Sequence, residues 1–209
     1  MTRIQVLRRP LGGSHRGRGR GQSLVEFALI LPVFMILLLG LVEFGFVFAH
    51  HQGLEYATRE GARTGAALSN GQDGQNGQPF ATTCKTIDEQ IIAAVQRVIT
   101  GSGSLVPIAN VSQIRIYKSD LNGVPITGSI NVWTKATGPV VDSVPLLFNR
   151  TSSPDPWPAC LRDNGSTPDA IGVDLTYTYH MATGLGSMLG WAGMNVIPMT
   201  DATVMVLNP

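Results

Sequence analysis

Residues 20–49, RGQSLVEFALILPVFMILLLGLVEFGFVFA, decide how the rest of the chain is read. Between Glu26 and Glu43 lie sixteen uncharged residues, nearly all Leu, Ile, Val, Phe, Ala, Met or Gly. At 1.5 Å per residue, Leu24 to Ala49 is long enough to cross a hydrocarbon layer of about 30 Å. A secretory signal peptide has an apolar core of only about 7 to 15 residues, followed by a small-residue cleavage site. No such site closes this run, which flows on into FGFVFAHHQGLEYATREGARTGAAL, so it reads as a retained membrane anchor. Glu26 is the oddity. A carboxylate near the centre of a membrane helix costs roughly 2.5 to 3.5 kcal/mol on insertion scales, so an ionisable residue in such a segment calls for a function.

Charge is divided unevenly about this anchor. Arg3, Arg8, Arg9, Arg16, Arg18 and Arg20 give the leader a charge of +6 with no acid, whereas the remainder carries nine Lys/Arg and fourteen Asp/Glu, a balance of −5. A basic cluster before a hydrophobic segment stays in the cytoplasm, which sends the rest of the chain outward. An Arg/Gly tail that binds nucleic acid is the alternative. This leader abuts an anchor and contains no aromatic residue to stack on bases, so no nucleic acid is expected as a partner, and membrane lipid is.

Beyond the anchor the helical period continues to Leu68. Leu54, Ala57, Gly61, Ala62, Gly65 and Ala66 recur at three- and four-residue intervals, with Glu55 and Arg59 paired one turn apart. A stripe of small residues lets helices approach closely, and the expectation is that this one packs along another helix rather than filling a bulky core. Pro32 removes one backbone hydrogen bond and marks a helix kink. SNGQDGQNGQP at 69–79 has no apolar period and reads as a linker. TIDEQIIAAVQRVIT is a short amphipathic helix, with Thr86 as its cap and Gly101 as its stop.

From Val111 the period shifts toward two. QIRIYKS and GSINVWTK flank the turn-rich DLNGVPITG as a hairpin, GVDLTYTYHM alternates strictly, and DATVMVLN is a last strand after the apolar loop GLGSMLGWAGMNVIP. Residues 138–170, rich in proline, read as one long loop. The fold class is therefore α+β: a long N-terminal transmembrane and stem helix, then a small extracytoplasmic head with an antiparallel sheet and one short helix. The divisions are a basic leader 1–21, a transmembrane helix 22–49, a stem 50–68, a linker 69–79 and the head 80–209. Cys84 and Cys160 both fall in the head. An even count outside the cytoplasm favours a disulfide, which would contribute about 4 to 5 kcal/mol in the chain-entropy model; two unpaired thiols are the alternative.

Nothing in the chain reads as catalytic. There is no GxSxG, HExxH or phosphate-binding GxxxxGK[ST] pattern. His50 and His51 are adjacent, so they point to different sides of a helix and are expected at the membrane interface rather than on one metal ion. His180 falls on the polar side of its strand, and Trp133, Trp157 and Trp191 are as readily core residues as ligand platforms. No enzyme, cofactor or metal site is expected.

Gly21 followed by Gln22, Ser23, Leu24, Val25 and Glu26 has the form G-x-x-x-x-E opening a hydrophobic helix after a basic leader, as in a type IV prepilin signal. With QSLVEFAL, Pro32, LVEFG and YATREGARTGAA, residues 20–68 resemble the TadE-like family of tight-adherence pilus assembly proteins, which are minor pilins or pseudopilins. The resemblance implies that a membrane aspartyl peptidase cuts between Gly21 and Gln22 and leaves the anchor in place. Glu26, the fifth mature residue, would then pair with the amino terminus of a neighbouring subunit, which offsets part of its burial cost and fixes axial register. It implies as partners other pilin-like subunits, inner-membrane platform proteins, a motor ATPase and the prepilin peptidase, and a single-pass location in the cytoplasmic (inner) membrane. At 209 residues the chain is far longer than the major pilins of such systems, which suits a minor, initiating or tip subunit. The competing reading is an uncleaved, membrane-tethered binding domain with no pilus role.

Overall fold

The computed structural model describes residues 19–70, 84–151, 154–186, 190 and 195–208. Most of the basic leader, most of the glycine-rich linker and Trp191 lie outside the described residues. Helix α1, Gly19–Leu68, runs unbroken through Pro32. It is followed by α2 (Ile87–Thr100) and strands β1 (Val111–Ser119), β2 (Pro125–Lys135), β3 (Val140–Val141), β4 (Val144–Pro145), β5 (Phe148–Arg150), β6 (Ala170–His180) and β7 (Val196–Val206). The long apolar helix, short helix and antiparallel sheet make the fold α+β.

Five strands form one sheet in the order β5-β2-β1-β6-β7, with every neighbour antiparallel. β1 and β2 are the expected hairpin, and its turn is held by the Asp120 carboxylate, which accepts the N–H groups of Asn122 and Val124 at 2.8 Å. Two sequence expectations are corrected. The stretch 138–170 holds β3, β4 and β5 instead of one loop, with β5 adding an edge strand beside β2. β7 also begins at Val196, so VIP belongs to the strand and not to the preceding loop, and Met199 and Thr200 join it. Pro198 is accommodated because β7 lies at the sheet edge, where a missing N–H breaks no ladder.

The core lies between one face of the sheet and the two helices. Ile114 and Ile116 of β1 and Val173, Leu175, Tyr177 and Tyr179 of β6 meet Ile87, Ile91, Ile92, Val95 and Ile99 of α2. Leu54, Ala57, Ala62 and Ala66 of α1 share that core. The small-residue stripe therefore does pack along a helix, but α2 and the sheet of its own chain also bury it in a bulky core. A Cβ on Gly61 would stand 2.6 Å from Val95 Cγ2 and 3.2 Å from Val173 Cγ1, and one on Gly65 would stand 2.7 Å from Ile171 Cδ1. These contacts are what the absence of side chains at Gly61 and Gly65 permits. The stem and head are thus one packed unit, and α1 has no break at 49/50.

Polar contacts fix the arrangement. Cys84 and Cys160 form a disulfide with Cα atoms 5.0 Å apart, tying the start of α2 to the segment after β5. Beside it, Arg162 and Asp88 form a buried ion pair at 2.5 Å. The Asn131 amide donates to the other Asp88 oxygen at 2.7 Å, and the Arg162 guanidinium lies 4.3 Å over the Trp157 ring. Asp174, on the outer face of β6, is covered by Arg115, whose guanidinium donates to it at 2.9 and 2.5 Å. Thr86 does not cap α2 through its side chain; Gly101 does end that helix, its N–H donating to Val98 at 3.3 Å. Ser69 and Asn70, expected at the start of a free linker, are buried instead: Ser69 donates to the Asn208 carbonyl at 2.5 Å and Asn70 to the Arg162 carbonyl at 3.1 Å.

Candidate functional site

Helix α1 meets two environments. From Gly21 to Leu38 every residue is exposed, with Leu29 at 72% and Leu24 at 69%, although the stretch is almost wholly apolar. This is the one helix among the described residues long and apolar enough to cross a membrane. An N-terminal apolar helix of this kind suggests a single-pass membrane protein. Among the described residues, a Cβ added at Gly40 or Gly45 would meet nothing within 4 Å.

At its N-terminal end stand the residues singled out from the sequence. Gln22 and Glu26 lie one helical turn apart, and the Gln22 side-chain amide donates to Glu26 Oε1 at 3.1 Å. Both are exposed, as is Gly21, around which there is open space. The geometry brings Gly21, Gln22 and Glu26 together within two turns and sets them far along the helix from Cys84 and Cys160, which belong to the head.

The other end of the bare segment holds a site that sequence reasoning missed. Glu43 is only 5% exposed. Its Oε1 accepts the Tyr179 hydroxyl at 2.5 Å and the Ala182 N–H at 2.9 Å, and its Oε2 accepts the Thr183 N–H at 2.9 Å. Three head donors therefore converge on one carboxylate of the anchor. Burial, and next to it the hydrogen bond to Glu43, push the Tyr179 hydroxyl up to about 12, so it stays protonated as a donor. About two turns further on, His50 donates from Nδ1 to the Phe46 carbonyl at 2.7 Å. Its ring centroid lies 5.9 Å from Tyr177, stacked, and 4.9 Å from Tyr179, edge-on. His50 therefore packs on the head, whereas His51 is exposed. Glu43, Val47, His50 and Leu54 extend the small-residue stripe at four- and three-residue spacing, and that spacing is the signal that could have found Glu43.

Charged pairs on the exposed side of the stem join Glu55 to Arg59 and Glu60 to Arg63. Among the described residues no group of three or more His, Cys, Asp or Glu is placed to hold a metal ion.

A bare apolar helix of membrane-crossing length, continued into the core of an α+β head, defines a class of single-helix-anchored proteins. The family model for TadE-like protein matches residues 21–63, starting at Gly21 and running through the Glu43 junction into the packed stem. The match agrees with the family that the sequence motifs resemble. No curated protein and no solved structure matches the chain.

Proposed function

We propose that this protein is a minor pilin or pseudopilin of a tight-adherence pilus or a related secretion apparatus. The observation that carries the reading is the TadE-like match over residues 21–63, which coincides with the bare helix and its junction with the head. In this reading the span is residues 22–42, about 31 Å at 1.5 Å per residue, and not the longer 22–49. The arginine-rich leader holds the N-terminus in the cytoplasm, and the head lies outside the cytoplasmic membrane. Such a compartment suits the Cys84–Cys160 disulfide.

Within this role a prepilin peptidase cuts between Gly21 and Gln22. Both residues are exposed at the start of α1, as a peptidase requires. Cleavage removes the leader and turns Gln22 into an amino terminus four residues from Glu26. The Gln22–Glu26 contact shows that the carboxylate is within reach of groups at that position. A neighbouring subunit's amino terminus takes the same place in trans, neutralising the carboxylate in hydrocarbon and setting register between helices. Pro32, near mid-span, gives the helix a point at which to bend against its neighbours. The partners are other pilin-like subunits, the inner-membrane platform and the prepilin peptidase. The head serves as a binding and packing module and not as an enzyme.

The test is the N-terminal sequence and intact mass of the full chain recovered from membranes with and without a prepilin peptidase. A mature chain beginning at Gln22 only when the peptidase is present supports the reading. An uncut chain in both cases overturns it in favour of a tethered binding domain.

A further inference from the structure

The part of the head nearest the bare helix is the end of the β6–β7 pair. His180 pairs with Val196, the Met181 N–H donates to the Asn195 carbonyl at 3.2 Å, and Ala182 and Thr183 are bound to Glu43. From Met181 to Thr200 the sequence contains no Asp, Glu, Lys or Arg. The opposite end of the same sheet differs: there Lys118 pairs with Asp169 at 2.6 Å, and Asp120 sits in the β1–β2 turn. The β6–β7 end is therefore free of Asp, Glu, Lys and Arg while the opposite end of the same strands is charged, and Glu43 ties the uncharged β6–β7 end to the point where the apolar run of the bare helix stops.

We propose that the β6–β7 end of the head is a second membrane contact, resting on the lipid headgroup layer and held there by Glu43. The inference rests on residues 22–42 being the membrane span and does not require a pilus role. If that span fills the hydrocarbon, Glu43 stands at its edge, and hydrogen bonds of 2.5 to 2.9 Å leave Tyr179, Ala182 and Thr183 no room to stand off from it. The absence of formal charge matters because bringing a charge toward hydrocarbon costs several kcal/mol unless it is paired. Val196 is 36% exposed and Ala182, Gly184 and Asn195 are exposed, so this end offers small and apolar groups to the lipid. On the helix beside it, Phe44 and Phe48 are exposed. The titratable groups facing this end are Glu43, Tyr179, His50 and His180, of which Glu43 and Tyr179 are bound to each other. The contact is intramolecular once the anchor is inserted, so even a weak affinity for lipid is amplified by a high effective concentration. Its consequence is a fixed tilt of the head on the bilayer, with the charged end turned outward.

The test uses the full chain in phosphatidylethanolamine–phosphatidylglycerol vesicles, carrying one nitroxide label at a time on Leu38→Cys, Val196→Cys or Leu121→Cys. Collision with oxygen and with a water-soluble nickel chelate reports depth. The proposal expects Leu38→Cys deep, Val196→Cys at headgroup level with a loss of nickel access, and Leu121→Cys fully accessible to nickel. A label at 196 as accessible as that at 121 overturns it and leaves the peptidase result untouched. Adding Glu43→Leu is expected to restore nickel access at 196 without changing 38; unchanged protection at 196 overturns the role of Glu43. If that chain does not fold, Tyr179→Phe removes one of the three donors and is expected to give part of the same restoration, while no change again counts against the role.

Discussion

The two halves of α1 contrast sharply. Residues 21–38 are almost wholly apolar and exposed, while the stem from Leu54 to Ala66 turns inward a stripe built largely of Ala and Gly, and that stripe is wholly buried. Hydrophobicity alone would assign burial the other way round. In the first half, large side chains face outward because lipid is their solvent. In the second half, small side chains bring the backbone close enough for Val95, Val173 and Ile171 to reach it. A helix can thus change environment without a break, and the side-chain size profile marks the change. Glu26 and Glu43 differ in the same way: one is exposed and bound by Gln22 of its own helix, the other is buried and bound by three donors of the head.

The largest expected effect falls on the packed half alone. Replacing Cys84 by Ser removes the disulfide and is expected to cost about 2 to 5 kcal/mol. Hydrogen exchange checks it: amide protection falls over 54–66 and in α2 while 24–38 keeps its own. Gly61→Val comes next, at about 3 kcal/mol, because the new side chain must displace Val95 and Val173. Gly40→Val, with open space around it, is expected to leave the melting temperature of the head unchanged, and equal losses from the two would erase the contrast.

Smaller effects sharpen it. Glu43→Ala strands the Tyr179 hydroxyl and two backbone donors, for an expected loss of about 2 kcal/mol measured by protease resistance of the head. Glu26→Ala is expected to shift that resistance by less than about 0.5 kcal/mol, as for other exposed positions. The smallest effect is alkaline. Because the Tyr179 hydroxyl is raised from its ordinary value near 10 to about 12, its contribution is complete below pH 10 and is lost as pH rises through about 12. A titration of tyrosinate absorbance should show Tyr179 ionising late, along with Tyr117 and Tyr177, which burial also raises, and Glu43→Ala should bring the Tyr179 step alone earlier.

Much of this was legible in the sequence. The apolar run announced α1, the alternation of Val173, Leu175, Tyr177 and Tyr179 announced β6, and two cysteines in one predicted compartment allowed one pairing. What escaped depends on distant partners or on broken patterns. β3 and β4 have only two residues each, too few for a period to register, and Pro198 hid the first half of β7. Asp174 alternates onto the polar face but is buried under Arg115, and Asp88 meets Arg162 far along the chain. Glu43 read only as the charge closing the uncharged run, inside an anchor drawn to Ala49, because its partners lie in and just after β6. The Gly21–Glu26 motif could be noticed because its residues lie within two helical turns, and its role remains a proposal.

The central claim is that α1 passes from lipid to protein at Glu43. Single cysteines placed at each position from Leu37 to Tyr56, in full chain held in sealed vesicles with the head outward, are treated with a membrane-impermeant maleimide. The account predicts no labelling through Val42, then labelling at Phe44, Phe48 and Tyr56 with continued protection at Val47, Leu54 and other positions packed on the head. Uniform protection through Ala49, followed by labelling on all sides of the helix, would contradict it.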